Sequence, residues 1–215
     1  MARILITGAS RGIGAALAER METQGHEAIR TSRAGGGTVA LDVTDPASIA
    51  NLATRIGEDS LDVLVCNAGI YPDKAEALDN GYPPQMWADA FATNVTGVFA
   101  TIQALLPALR RSKAGKIAII SSQMGSSERA PGGSYIYRAT KAAVTNLGRN
   151  LAADLRDDGI AVGIYHPGWV RTDMGGQGAS ISPEASAAGL ADRIAELSLE
   201  TTGAFLTWDG EVHPF

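Results

Sequence analysis

The sequence predicts an α/β fold: a doubly wound parallel sheet of about seven strands, built as a single domain over residues 1–215. Three observations predict it. Short apolar runs alternate with helix-length amphipathic stretches along the whole chain. A glycine-rich turn follows the first run and opens the first helix. The length suits one large domain with a proper core and is short for two.

The elements follow in order. Arg3–Thr7 (RILIT) reads as a strand, followed by a helix from about Gly12 to Gln24. His26–Thr31 is the second strand and Thr38–Asp42 the third. Only Ser32–Gly37, three of them glycine, separate these two, whereas a parallel crossover usually takes a dozen or more residues. A bare loop to a short edge strand is expected there. Asp45-Pro46 supplies an N-cap and a first-turn proline for a helix to about Ile56. Leu61–Cys66 is the fourth strand, then comes a long helix from about Pro84 to Arg111, and Lys116–Ser121 is the fifth strand. A helix over Ser134–Asp157 stops at Gly159, and Ile160–Tyr165 is the sixth strand. Ser182-Pro183 opens the last helix, and Ala204–Thr207 is the seventh strand.

Composition narrows the class. Hydrophobic residues at 45% and charged residues at 19% are an ordinary globular balance. A net charge of −5 argues against a nucleic-acid or anionic-membrane surface. Apolar runs are strand-sized, short of the ~20 residues that span a bilayer. The N-terminal run ends in Thr7-Gly8 without a cleavage pattern, so it reads as a strand rather than a signal peptide. The lone cysteine, Cys66, excludes an internal disulfide and fits a reducing cytoplasm; it reads as core packing.

Parallel sheets of this kind bind ligands beyond the carboxyl ends of their strands. The first such loop is Gly8-Ala9-Ser10-Arg11-Gly12-Ile13-Gly14, where glycines let the backbone approach a pyrophosphate at a helix N-terminus. After the second strand stands Arg33, not the acidic residue that would favour NAD(H). With Arg11 it predicts a two-arginine clamp on a 2′-phosphate, hence NADP(H), with NAD(H) the alternative. Asp42, with Val43 after it, offers a carboxylate to an adenine amino group, and Asn67-Ala68-Gly69 lets a nucleotide pass closely. No metal site is expected.

Tyr137 and Lys141 lie four residues apart near a helix start, so phenol and ammonium share one face. A fixed cation beside a phenol lowers its pKa toward the range useful for proton transfer. Ser121 and Ser122 end the preceding strand at the same sheet edge. Tyr135 has Ala139 at the matching position and makes no such pair.

Glycine turn, Asn67-Ala68-Gly69, post-strand serine, Tyr137/Lys141 and Pro167-Gly168 together resemble the short-chain dehydrogenase/reductase superfamily over nearly the whole chain. That resemblance implies a Rossmann fold with strand order 3-2-1-4-5-6-7 and an NAD(P)-dependent oxidoreductase. It gives Tyr137 the role of general acid/base, and Lys141 those of lowering the Tyr137 pKa and binding the nicotinamide ribose. Ser122 would hold the substrate oxygen, and Asn94 would support a proton relay. It also places Pro167, Gly168, Val170 and Thr172 at the nicotinamide, and implies a homodimer or homotetramer. His166 reads as structural and Asp173 as an ion-pair partner of Arg171 or a turn cap. Between Met174 and Pro183 stand eight residues, three of them glycine, which predicts a mobile loop over an open cleft walled by Gln123, Met124, Ile70, Tyr71, Trp169 and Met174. The HPGWVRTDMGG segment and the short lid are similar to the C-factor-type branch of small carbonyl reductases, some of which signal. A cofactor-binding sensor with little turnover is therefore the alternative to a carbonyl/alcohol oxidoreductase. A sugar-nucleotide epimerase is a third reading, for which the C-terminal part is short.

Overall fold

Ile4 and Ile6 of the first strand, Arg3–Ile6 (β1), point into one apolar layer and Leu5 into the other. The same alternation recurs in Val63–Cys66 (β4), Lys116–Ile120 (β5) and Ala161–His166 (β6), each wholly or almost wholly buried. Strands apolar on both faces need helices on both faces. Here Pro46–Ile56 (α2), Gly97–Arg110 (α4) and Tyr135–Asp154 (α5) cover one side, while Gly12–Thr23 (α1) and Pro183–Glu196 (α6) cover the other. The computed structural model describes residues 1–215. With Glu27–Ser32 (β2), Val39–Ala40 (β3) and Phe205–Thr207 (β7), the strands form one parallel sheet in the order β3-β2-β1-β4-β5-β6-β7, as expected.

Most boundaries fall within two residues of expectation, and three differences have physical causes. β3 is only two residues long, because the loop from β2 is closed by Ser32 and Thr38 bonding the Gly35 carbonyl and each other. The expected Pro84–Arg111 helix is a helix Pro84–Phe91 (α3), a π-helical turn Ala92–Thr96, and α4. The whole run Pro84–Arg110 is long and apolar enough, by length and composition alone, to cross a membrane, which corrects the expectation of strand-sized apolar runs. Its apolar stripe, Val98, Ile102, Leu105 and Leu109, is packed into the core. Finally, α5 ends at Asp154, before the glycine stop.

Cys66 is buried in the core, and burial pushes its thiol up to about 12, so it stays neutral and inert.

Candidate active site

The loops after β1 and β4 are locked together by two side chains. Thr7 Oγ1 donates to the Val65 carbonyl (3.4 Å) and accepts from the Asn67 and Ala68 amides, both at 3.0 Å. Asn67 Nδ2 donates to the Thr7 and Gly8 carbonyls at 2.9 and 3.1 Å. Gly14 has no room for a side chain: a Cβ there would lie 2.5 Å from both Asn67 Nδ2 and the Gly8 carbonyl. Helix α1 starts without a side-chain cap and without an acidic residue in its first turn, leaving those amides for an anion.

This turn forms one end of a cleft of about 800 Å³ across the carboxyl ends of the strands. Apart from Ala9, which is buried in the core, the expected residues of the glycine turn and of the β2, β3 and β4 ends line it, as do Tyr137, Lys141, Pro167 and Thr172. Gly168, Val170, Ser122 and Asn94 do not. Val170 is buried and bridges to Ile181, while a Cβ on Gly168 would press into Ile181 and Trp208.

Charge at the outer end differs from expectation in two respects. Arg33 lines the cleft and makes no ion pair, but Arg11 is paired with Asp173, on the loop after β6. Asp173 thus reaches Arg11 and not Arg171, whose guanidinium donates to the Ala179 and Ser180 carbonyls. Asp42 is turned to its own loop: one carboxylate oxygen accepts from the Thr44 amide (2.9 Å) and hydroxyl (2.7 Å). These bonds hold its carboxyl below the usual range, helped by Arg33.

At the inner end Tyr137 and Lys141 stand on the first turns of α5, both buried. Lys141 Nζ donates to the Ile120 carbonyl (2.9 Å) and lies 5.5 Å from the Tyr137 ring centre. Burial lowers its ammonium to about 8. The Tyr137 phenol is raised above its ordinary value, first by burial, while the nearby Ser122 hydroxyl works the other way and Tyr71 and Asp73 add to the rise. The expected lowering by Lys141 is absent from this arrangement, because the ammonium is turned to a carbonyl and not to the phenol.

The two serines after β5 part company. Ser121 bonds Thr145 (2.6 Å) and the Lys141 carbonyl (3.2 Å), seating α5 on the sheet. Ser122 is the one against the phenol, at the head of a 3₁₀ turn over Gln123–Gly125. Gly125 lets that turn rest on α5, since a Cβ there would come 2.5 Å from the Lys141 backbone carbon.

Asn94 sits in the π-helical turn, a distortion frequent at functional sites. Its amide is fully used: Oδ1 accepts from the Ile70 amide (2.8 Å), and Nδ2 donates to the Ile70 carbonyl (2.9 Å) and Thr140 (3.0 Å). It therefore reaches Lys141 through no direct bond.

The expected substrate wall is only partly assembled. Ile70 and Met174 line the cleft, and Tyr71 stacks on Tyr137 with ring centres 4.1 Å apart. Gln123 and Met124 are not among the lining residues; Gln123 points to solvent. Trp169 is more than half exposed and turns back to the Gly175 carbonyl (2.9 Å). The 174–183 segment has more structure than a mobile loop, being pinned to the Trp169–Arg171 backbone through Ile181. His166 is buried, and burial, then His213, lowers its imidazole to about 4, consistent with a neutral structural residue.

Sequence reasoning missed Asp73. Its buried carboxylate accepts from the Ile136 amide at 2.8 Å and the Tyr137 amide at 3.2 Å. Only the acidic residue six positions after Asn67 signalled it, and nothing local ties that position to α5.

A doubly wound sheet with a cleft across the carboxyl ends of its strands, uncapped amides at one end and Tyr137 and Lys141 at the other, has the parts that a dinucleotide-dependent oxidoreductase needs. Residues 2–180 match the family model described as short chain dehydrogenase. The 1-hydroxy-2-glutathionyl-2-methyl-3-butene dehydrogenase of Rhodococcus sp. (strain AD45) is 33% identical, covering 98% of this chain and 98% of its own. The C-signal protein of Myxococcus xanthus is 35% identical over 76% of this chain and 98% of its own. The NADPH-bound carbonyl reductase from chicken fatty liver superposes with a TM-score of 0.91 at 30% identity, covering 99% of this chain and 98% of the other. The chain belongs to the short-chain dehydrogenase/reductase family and is an NAD(P)-dependent oxidoreductase.

Proposed function

We propose that this protein interconverts a ketone or aldehyde and its alcohol with NADP(H), Tyr137 moving the proton. One observation carries the reading: Tyr137 and Lys141 line the inner end of a cleft, with Ser122 near the phenol, and the outer end of that cleft offers uncapped amides and a free Arg33. The likeness to an NADPH-bound carbonyl reductase supports it.

The residues fit a phosphate-bearing dinucleotide. Gly8 and Gly12 stand at φ of +67° and +57°, in the left-handed region, so the turn bends tightly around the α1 N-terminus. When bound, NADP(H) supplies or accepts the hydride. Tyr137 donates its proton to the carbonyl oxygen in reduction and takes it from the alcohol in oxidation. Ser122 donates to the same oxygen and stabilises the charge that develops there. Lys141 binds the ribose hydroxyls and offers positive charge beside the phenol, and Asn94 fixes the loop after β4 against α5. Thr172 and Pro167 hold the nicotinamide end, and Ile70, Tyr71 and Met174 give the substrate an apolar flank.

The test is NADPH oxidation against a panel of aldehydes and ketones, with NADH alongside. Turnover of at least one carbonyl, faster with NADPH, is expected; no turnover of any would overturn the reading. Arg33→Ala should raise KM for NADPH about tenfold or more relative to that for NADH, the scale of a lost charge-assisted contact. Equal wild-type rates with both cofactors would remove the 2′-phosphate argument.

A further inference from the structure

Helix α5 carries Tyr137 on its first turn, yet its own N-terminus is uncapped. Ser134, the residue in the cap position, lies at φ +48°, in the left-handed region, and its side chain makes no capping bond. That hydroxyl is taken instead by Tyr71 (2.6 Å). The first amides of a helix need acceptors, and here two of them bond a residue more than sixty positions earlier. Asp73 Oδ2 accepts from Ile136 (2.8 Å) and Tyr137 (3.3 Å), and Oδ1 from Tyr137 (3.2 Å). The carboxylate is 1% exposed and makes no ion pair with Lys, Arg or His. Its charge is offset by the amides and dipole of α5.

Tyr71 and Asp73 thus grip the first turn from two sides. Tyr71 lies flat on the Tyr137 ring and bonds Ser134; Asp73 holds the Tyr137 backbone. We propose that Asp73 is a positioning residue for Tyr137, replacing the missing cap of α5 and fixing where the phenol stands. This rests on the reading of Tyr137 as the proton donor. The groups facing the phenol are Ser122 from the post-β5 turn, Tyr71 and Asp73 from the post-β4 loop, and Lys141 from α5 itself. Of these Asp73 brings the fixed negative charge, which disfavours phenolate.

Two variants test it, measured as kcat and KM per folded protein across pH. Asp73→Ala removes the cap and is expected to lower kcat about tenfold or more with a smaller change in KM for the cofactor. Asp73→Asn keeps the shape and one acceptor but loses the charge. The limb of the pH profile that reports the phenol should then move to lower pH by about half a unit or more. A purely structural cap would lower thermal stability in both variants and leave that limb in place. An unmoved limb in Asp73→Asn, or a folded Asp73→Ala with kcat within about twofold of wild type, overturns the proposal. Tyr137→Phe is run in parallel: if it stays active, the reading of Tyr137 fails; if it is dead while both Asp73 variants behave as wild type, only the positioning role fails.

Discussion

Replacing Tyr137 by phenylalanine is expected to lower kcat for carbonyl reduction by about 10²–10⁴-fold, the range that positioned proton transfer contributes. The substitution removes one oxygen and keeps the ring, so the stack on Tyr71 and the backbone bonds to Asp73 persist. Thermal stability should therefore change little, and NADPH binding should be retained. Fluorescence titration of NADPH and a melting curve, run beside kcat, separate chemistry from folding. The phenol's raised pKa adds a signature in the intact enzyme. A phenol held protonated through neutral pH is ready to donate, so reduction should show no loss from this group between about pH 6 and 9, below the ordinary tyrosine value of about 10. Oxidation needs the phenolate, so its rate should climb with pH over the same interval. Tyr137→Phe that reduced carbonyls at near wild-type rates would instead favour a cofactor-binding sensor.

What the sequence disclosed and what it hid divide along chain separation. Each strand is a short run with turn residues beside it, and the parallel sheet follows from the alternation of strands and helices, while its strand order came with the family resemblance. The glycine turn is equally local, since its chemistry lies within seven consecutive residues. Tyr137 and Lys141 share a face because four residues separate them. Asp73 acts on a helix sixty-three positions away, and its neighbours in sequence give no hint of a cap. Arg11 and Asp173 meet across 162 residues, so Arg171 was the nearer and wrong partner to expect. The π-helical turn at Asn94 is likewise invisible locally. Its residues would continue an ordinary helix, and bonds to Ile70 and Thr140 mark the distortion. Trp169 failed as a wall residue for a related reason: its indole finds an acceptor in the loop that the sequence left unstructured.

Lys141→Met should combine a large loss of activity with a gain in stability. The ammonium is buried and has a single partner, the Ile120 carbonyl, so the charged form is costly in the folded protein. Its pKa falls to about 8, whereas in the unfolded chain it stays near the ordinary lysine value of about 10.4. Between those two pH values the unfolded chain holds more protons than the folded one, so stability rises with pH there. Below pH 8 the whole penalty is present, at most about 3 kcal/mol for a shift of about two units. Methionine has nearly the same length and no charge, so it removes that penalty. It also leaves the Ile120 carbonyl without its donor, at a cost of about 1 kcal/mol. The balance is a variant more stable by about 1–2 kcal/mol at pH 7, or a few degrees in Tm for a chain of this size. That advantage should shrink as pH approaches 10, where the wild-type lysine is neutral in the folded state. Turnover should fall about a hundredfold or more, because no cation remains beside the phenol and none is left to hold the ribose. Melting curves without cofactor at pH 7 and pH 10, set beside kcat and KM for NADPH, read both effects. A Tm that drops at pH 7, or an advantage that does not depend on pH, would show that Lys141 sits comfortably charged in the fold. Arginine is no substitute. Its planar guanidinium stays charged at every accessible pH and binds as a fork, whereas Lys141 offers one compact, titratable ammonium. The same burial that makes Lys141 a liability to the fold holds its ammonium at the cleft wall, 5.5 Å from the Tyr137 ring centre, where a bound ribose and substrate would meet it.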